Sequence, residues 1–378
     1  MNSSSASTPK PRYILIGGFL GAGKTTASAR LAEWLRSKGK SVGLITNDQG
    51  RQLVDTTLLR ARGFPVEEIP GGCFCCRFDS LVEASDRLTT ESRPDYFLAE
   101  PVGSCTDLVA TVTYPLGRLY EEQYSIAPFS VLVDPARAVC VLGLVPGRQF
   151  SDNVNYIYRK QLEEAQLIVI NKCDLMGDAR RMELRDALAG EFPHAQIFEV
   201  SSRTGEGLEP WFTLITNTPQ TRRAVMEVDY EIYADGEARL GWLNATLQLT
   251  ATTPVDANRV LTSLAAAVQL RLKTSGAEVA HLKMTLDPGG TQGELCVLNL
   301  VRNDAAPELA QRLAAPVNGG QLLVNLRAEG EPELLRESLR QAVDSLLASE
   351  PALKAEWTHL ESFKPGKPQP THRDTPIA

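Results

Sequence analysis

The sequence predicts an α/β protein in which a doubly wound, mostly parallel sheet is followed by a smaller α+β domain. Through about residue 215, apolar runs of strand length alternate with helical patterns, as in a parallel sheet that has helices on both faces. From about residue 225, four strand-like runs accompany two amphipathic helical segments, which is typical of a sheet with helices on one face. At 378 residues the chain can form two domains with separate cores.

These patterns divide the chain into four predicted regions. We expect a disordered N-terminus over residues 1–10, a first domain over 11–220, a second domain over 225–350 and a Pro-rich tail over 355–378. The opening residues are polar and lack the apolar stretch of a secretory signal.

Composition excludes several classes of protein. The formal net charge of −7 opposes a nucleic-acid or anionic-membrane surface, where a basic face is expected. The longest apolar runs are too short to cross a bilayer. Seven cysteines, four of them scattered singly, do not form a secreted disulfide framework and indicate a reducing compartment. We therefore expect a cytoplasmic protein that binds neither nucleic acid nor membrane.

Residues 18–25, GFLGAGKT, match G-x-x-x-x-G-K-[ST] between a predicted strand and a predicted helix. Glycines let the backbone N–H groups of such a loop point at phosphate oxygens, and the helix N-terminus adds a positive field. We expect Lys24 to reach the β- and γ-phosphates and the Thr25 hydroxyl to bind Mg²⁺. The predicted phosphate-binding residues are Gly18, Gly21, Ala22, Gly23, Lys24, Thr25 and Thr26.

The strand QLIVI runs into Asn171-Lys172-Cys173-Asp174, an N-K-x-D pattern that reads guanine. A carboxylate at Asp174 can accept from N1–H and from the exocyclic amine of guanine, whereas adenine offers neither donor there. Asn171 and Lys172 are expected to link this loop to the phosphate loop, and Ser201 in EVSSR to contact the guanine carbonyl through the backbone. The predicted nucleotide is therefore GTP.

Two acidic residues follow predicted strands at the nucleotide edge of the sheet. Asp48 and Glu100 are expected to hold Mg²⁺ directly or through water. The segment from Glu100 to Gly103 has [DE]-x-x-G spacing, in which the glycine amide senses the γ-phosphate. The predicted catalytic residues are Lys24, Thr25, Asp48 and Glu100. Because no arginine is placed as an arginine finger in cis, we expect slow intrinsic hydrolysis of GTP.

Residues 71–76, GGCFCC, place Cys73, Cys75 and Cys76 within four positions. A disulfide between such near neighbours is strained, which leaves a metal site, a redox-active thiol group or simple packing. Closely spaced thiolates suit a borderline ion such as Zn²⁺, and three of them leave one coordination position open. Cys105, just after EPVGS, is a candidate fourth ligand, although packing is its favoured role.

With GGFLGAGKTT, GGCFCC, ExxG and NKCD in this order, the chain resembles the CobW-like family of metal-associated P-loop GTPases, relatives of the urease and hydrogenase nickel-insertion GTPases. The resemblance covers about residues 12–215. It implies that Cys73, Cys75 and Cys76 bind zinc or cobalt, and that the GTP state gates delivery of the metal to a client protein. The chain departs from the family at residues 47–50, NDQG, where many members have NEFG, and it has no His-rich segment.

The sequence thus favours a GTPase whose nucleotide state gates a Cys-based transition-metal site, acting as a metallochaperone or metal-insertion factor. Its expected ligands are GTP, magnesium and zinc or cobalt, and its expected partner is a client metalloprotein. A nucleotide-dependent homodimer is left open. The alternatives are a GTPase chaperone that loads or protects a cobalamin enzyme, a P-loop kinase for a small molecule, and a zinc sensor in which GTP is structural.

Overall fold

The computed structural model describes residues 10–48, 54–146, 150–289 and 294–375. The predicted disordered N-terminus falls, apart from Lys10, outside these residues. Within them the chain forms one parallel sheet and one antiparallel sheet. The predicted fold class is confirmed.

The first sheet is parallel and runs in the order β3-β2-β4-β1-β6-β7-β8, with the short β5 pairing against the start of β1. Its strands are β1 (Arg12–Gly18), β2 (Val42–Asp48), β3 (Val66–Pro70), β4 (Tyr96–Glu100), β5 (Ser125–Ile126), β6 (Ser130–Val133), β7 (Leu167–Ile170) and β8 (Gln196–Glu199). Strands β2, β3 and β4 lie on one side of β1, and the later strands β6, β7 and β8 lie on the other side. This reversal opens a crevice at the carboxyl end of β1, where ligands of such sheets bind.

Helices cover both faces of this sheet. They are α1 (Lys24–Ser37), α2 (Val54–Ala61), α3 (Phe78–Ser92), α4 (Tyr114–Leu119), α5 (Pro135–Val141), α6 (Asp152–Glu164), α7 (Asp178–Glu191) and α8 (Leu208–Asn217), with a π-helical turn at Val109–Thr113 and a 3₁₀ turn at Cys173–Leu175. Alternate residues of β1 enter different cores: Tyr13 and Leu15 pack on one face, and Ile14 and Ile16 on the other. Burial of both faces explains why the strands read as continuous apolar runs.

The second domain is a six-stranded antiparallel sheet in the order β12-β11-β10-β13-β9-β14. Its elements are α9 (Tyr230–Arg239), β9 (Leu240–Val255), α10 (Ala257–Ser275), β10 (Glu278–Asp287), β11 (Cys296–Leu300), β12 (Glu308–Gln311), β13 (Val317–Glu329), α11 (Pro332–Ser349) and β14 (Leu353–Phe363). Helices α10 and α11 pack on one face, against apolar residues such as Leu247, Leu282 and Val324. The opposite face turns toward the first domain.

One boundary differs from the prediction. Residues 353–363 form β14, which pairs antiparallel with β9 along most of its length. This corrects both the second domain predicted to end at 350 and the Pro-rich tail predicted to begin at 355. The segment alternates exposed and partly buried residues, with Trp357 opposite Leu247, so pairing on an otherwise open edge strand outweighs its polar composition.

Among the residues that the structure describes, none of the helices is both long and apolar enough to cross a bilayer.

A buried carboxyl group makes the stability of the first domain depend on pH. Glu164, at the end of α6, is 3% exposed, and its carboxyl oxygens accept from the Thr106 hydroxyl at 3.2 Å and the Val109 N–H at 2.9 Å. Burial raises the pKa of Glu164 to about 8. The folded chain therefore binds a proton that the unfolded chain releases near a pKa of about 4.3, and stability falls as pH rises through this interval.

We expect Glu164→Gln to remove much of this fall, because the amide has no charge to bury. The melting temperature of the wild type should drop between about pH 5 and about pH 8.5, and about 1 kcal/mol corresponds to about 2–4 °C for a domain of this size. The variant should melt above the wild type at the alkaline end. Glu163→Gln, at a neighbouring side chain that is 43% exposed, is the matched control. Parallel melting curves for Glu164→Gln and wild type would contradict the assignment.

Candidate functional site

The phosphate loop lies between β1 and α1 in the conformation that its glycines allow. Gly18, Gly21 and Gly23 have φ of 127°, 81° and 92°, in the region that favours glycine. A Cβ atom at Gly23 would lie 2.4 Å from Asn171 Nδ2, so no larger residue fits there. Lys24 Nζ folds back and donates to Gly18 O at 2.9 Å. The loop therefore has the shape that exposes backbone N–H groups at a helix N-terminus.

Two carboxylates meet at the Thr25 hydroxyl. Thr25 Oγ1 lies 2.6 Å from Asp55 Oδ1 and 2.9 Å from Glu100 Oε1. Glu100 is 8% exposed, and its Oε2 has no hydrogen-bond partner among the described residues. Burial, followed by the charge of Asp55, raises the pKa of Glu100 to about 7. A hydroxyl and two crowded carboxylates with an unpartnered oxygen form a donor set that fits Mg²⁺.

Asp48, predicted as a magnesium ligand, forms an ion pair with Arg327 instead. Both of its carboxylate oxygens lie 3.0 Å from Arg327 Nη2 of the second domain. Asp55 in α2, which the sequence analysis missed, is the carboxylate beside Thr25. Nothing in the sequence around Asp55 marks it as a ligand, because its approach to Thr25 arises only when α2 packs. Magnesium binding by Asp48 stays a prediction.

The NKCD loop connects to the phosphate loop as predicted from its motif. Asn171 Nδ2 donates to Ala22 O at 2.8 Å, and Asn171 Oδ1 accepts from the Ser202 N–H at 2.9 Å. Lys172 Nζ donates at 2.8 Å to both Gly21 O and Asp134 Oδ2. Asp134 ends the apolar strand FSVLVD, a position at the nucleotide edge that the sequence could have identified.

Asp174 stays ionised at the far end of this loop. Burial opposes ionisation, but the hydrogen bonds of Ser201 and Arg203 hold the pKa of Asp174 below its ordinary value. The backbone N–H of Ser201 donates to Glu206 O at 2.9 Å, and the predicted backbone contact of the segment from Ser201 to Arg203 with guanine stays a prediction. The Ser201 side chain orients the Asp174 carboxylate.

The phosphate loop, the Thr25 cluster and the NKCD loop line one cavity of about 810 Å³. This volume lies within the range of small-molecule sites. One wall comes from the second domain and includes Trp242, His281, Lys283, Asn299 and Arg327. The sequence analysis assigned no role in nucleotide binding to the second domain, because the alternation of its strands resembles an ordinary half-exposed sheet.

The three clustered cysteines converge at the turn between β3 and α3. Cys73 Sγ lies 3.0 Å from Cys75 Sγ and 3.2 Å from Cys76 Sγ, and the latter two atoms are 3.8 Å apart. The Cys76 and Arg77 N–H groups both donate to Cys73 O, which forms the turn that returns Cys76 to the other thiols. None of the seven cysteines, all of which lie in the described part of the chain, forms a disulfide. Three thiols at this spacing suit a tetrahedral ion of the Zn²⁺ type.

A fourth thiol lies against this cluster. Cys105 is 1% exposed, and its thiol is the largest of the causes that lower the pKa of Cys73. Helix α9 covers this segment: Ser104 Oγ donates to Glu237 Oε1 at 2.7 Å, and the Thr106 N–H donates to the Tyr233 hydroxyl at 3.2 Å. Residues 100–105 therefore run from the Thr25 cluster to the thiol cluster.

Residues 369–373, in the predicted Pro-rich tail, contact the thiol cluster and the first domain. The Gln369 N–H donates to Cys76 Sγ at 3.1 Å, and the Thr371 N–H donates to Cys75 O at 2.8 Å. Arg373 Nε pairs at 2.7 Å with Asp107, a carboxylate that is 1% exposed. This partly buried ion pair holds the segment against the first domain.

This arrangement defines a P-loop nucleotide-binding protein with a thiol cluster beside the nucleotide cavity. Residues 12–199 match the family described as CobW/HypB/UreG, nucleotide-binding domain. This part of the chain belongs to that family.

Two curated relatives match about half of the chain. A protein named zinc chaperone CobW from Sinorhizobium sp is 29% identical over 233 residues, which cover 54% of this chain and 59% of the relative. A protein named zinc chaperone YeiR from Escherichia coli (strain K12) is 31% identical over 166 residues, covering 43% and 47%. The chain thus spans about half the length of the curated relatives it matches. The solved structure of Zn(II)-bound YjiA GTPase from E. coli is 16% identical, with 90% of this chain and 99% of that chain covered and a TM-score of 0.38.

The position of Asp174 predicts a change of base preference in Asp174→Asn. The amide would present a donor to the N1–H and amine of guanine, so GTP affinity should fall about 10–100-fold, the value of one charged hydrogen bond. Xanthosine triphosphate, which has a carbonyl in place of the amine, should gain binding affinity relative to GTP. Competition against a fluorescent nucleotide measures both, with Asp178→Asn, at a fully exposed side chain, as control. An unchanged preference for GTP over both competitors would contradict the assignment of Asp174.

The contacts of residues 369–373 with the cysteine cluster predict how fast the thiols react with a labelling reagent. A chain ending at Phe363 loses the contacts of Gln369 and Thr371, so a thiol reagent should label the cysteine cluster several-fold faster than in the full chain. Arg373→Ala in the full-length chain should give an intermediate rate, because it removes the contacts with Asp107 and Met226 O but keeps those of Gln369 and Thr371. Mass spectrometry of the labelled peptides measures the rates, and melting curves verify that both variants fold. Equal labelling rates would show that the tail does not shield the cluster.

Proposed function

We propose that the protein is a GTPase whose nucleotide state gates a transition-metal site at Cys73, Cys75 and Cys76, and that it acts as a metallochaperone. The observation that supports this most directly is the course of residues 100–105. Glu100 lies beside Thr25 at one end, and at the other end the Cys105 thiol lowers the pKa of Cys73. A short segment that touches both sites can transmit a change at the nucleotide to the thiols.

In the proposed nucleotide complex, GTP occupies the 810 Å³ cavity with guanine at Asp174 and the phosphates at the loop of residues 18–25. Thr25, Glu100 and Asp55 or Asp48 would hold Mg²⁺, which supplies positive charge to the β- and γ-phosphates. Lys24 neutralises phosphate oxygens, and hydrolysis transfers the γ-phosphoryl group to water. We expect slow intrinsic turnover.

The gating step follows from the position of Gly103 between Glu100 and Cys105. An amide that donates to the γ-phosphate would order this segment in the GTP state and release it after hydrolysis. Cys105 would then change its distance from Cys73, and with it the number of thiols available to the metal. Binding requires thiolates, so metal affinity should fall as pH falls.

Zinc is the proposed cargo, and cobalt is the other metal that suits the thiols. The names of the two relatives, both zinc chaperones, support zinc. The recipient would be a client metalloprotein, and a nucleotide-dependent homodimer stays a prediction. Seven cysteines without a disulfide among them support a reducing cytoplasm as the compartment.

The test is a zinc titration of the reduced protein, with GDP and with a non-hydrolysable GTP analogue plus Mg²⁺. We expect about one ion per chain, an affinity that differs between the two nucleotides, and at least about tenfold weaker binding in Cys75→Ala/Cys76→Ala, which keeps one thiolate of the cluster. Cys140→Ala, at a half-buried thiol in α5 outside the cluster, should bind as the wild type does. Absence of metal in every nucleotide state would reject gated metal delivery and favour the cofactor-loading alternative.

A further inference from the structure

The sheet of the second domain presents a polar row to the nucleotide cavity. Lys283 of β10 lies opposite Asn299 of β11 and Asn325 of β13, and Asn325 lies opposite Asn244 of β9. The neighbours of Lys283 in β10 are apolar and pack on the far side of the sheet, under α10 and α11. Because side chains alternate along a strand, the four polar residues share the face that meets the first domain.

This face contacts the nucleotide machinery at several points. Asn325 Oδ1 accepts from the Val54 N–H at the start of α2 at 3.0 Å, and Arg327 pairs with Asp48 at the end of β2. Lys283 reaches furthest, since its Nζ forms an ion pair with Asp55 and lies 3.3 Å from Thr25 Oγ1. The second domain therefore touches the phosphate loop itself.

Lys283 places a second positive charge near Lys24 at the phosphate loop. The Lys283 side chain is 16% exposed. Burial lowers the pKa of Lys24, the charge of Glu100 opposes this, and the charge of Lys283 lowers the pKa further. The two ammonium groups are therefore close enough to interact. Two partly desolvated cations at one phosphate loop repel each other unless anions lie between them. A triphosphate, whose β- and γ-phosphates lie at the Lys and Thr of a phosphate loop, is such an anion.

We propose that Lys283 is a second triphosphate-binding lysine, contributed by the C-terminal domain, whose ammonium group exchanges the Asp55 carboxylate for γ-phosphate oxygens when GTP binds. The ammonium keeps its proton, and no covalent bond changes. GTP then bridges the two domains, while GDP leaves Lys283 on Asp55. This inference rests on the proposed GTPase function and gives the second domain a role in it, the recognition of the γ-phosphate.

The experiment compares Lys283→Met and Lys283→Arg with the wild type. Affinities for GDP and for a non-hydrolysable GTP analogue, both with Mg²⁺, are measured by isothermal titration. In Lys283→Met we expect the GTP analogue to bind about 10–100-fold more weakly, as for a lost charged hydrogen bond, and GDP to change less than about threefold. Lys283→Arg, which keeps the charge, should recover most of the affinity for the GTP analogue.

Two control variants separate phosphate binding from domain packing. Asn325→Ala removes the contact with Val54 but no phosphate contact, so any loss should be equal for the two nucleotides. Lys354→Met, at an exposed position on β14 of the same sheet, should have no effect. Melting curves verify folding of each variant.

An unchanged ratio of GTP-analogue to GDP affinity in Lys283→Met would overturn the inference and leave Lys283 as a structural partner of Asp55. A loss equal for both nucleotides, as in Asn325→Ala, would overturn it as well. Failure of the proposed GTPase function looks different, because the wild type itself would then bind no GTP analogue, whereas a failure of metal binding alone would leave this comparison intact.

Discussion

The structure depends on the need to pair buried charges around the Thr25 hydroxyl. Asp55 and Glu100 lie there with little access to water, and Lys24 and Lys283 supply the opposite charge. A desolvated carboxylate without a partner costs several kcal/mol, so this cluster requires the second domain to lie close to the first. The nucleotide cavity is consequently a two-domain cavity, although its recognisable motifs all belong to one domain.

The same packing places the thiol cluster beside the nucleotide machinery. Helix α9 of the second domain contacts Ser104 and Thr106, on either side of Cys105, and thereby fixes the segment that connects Glu100 with the cysteines. Any motion of this segment must disturb buried hydrogen bonds with α9. The segment between the two sites is therefore held in place by the second domain as well.

Much of this site was predictable because its residues lie in local motifs. The parts that depend on contacts between distant segments were not predictable. The phosphate loop, NKCD and GGCFCC are contiguous, and a contiguous pattern fixes both residue type and backbone shape; the positive φ of Gly23 is an example. Asp55 and Lys283 meet across 228 positions of sequence, so no spacing rule links them. The strand β14 was missed because pairing with β9, rather than its own composition, makes it a strand.

The segment that crosses the thiols also affects how the protein can be handled. Gln369 and Thr371 contact the cysteine turn, and residue 375 lies only a few positions further on. An oligohistidine purification tag fused at this end would bring additional imidazoles close to the cysteine cluster, and imidazole is itself a good zinc ligand. Such a tag would compete with the thiols for added zinc, so the N-terminal end is the suitable place for it.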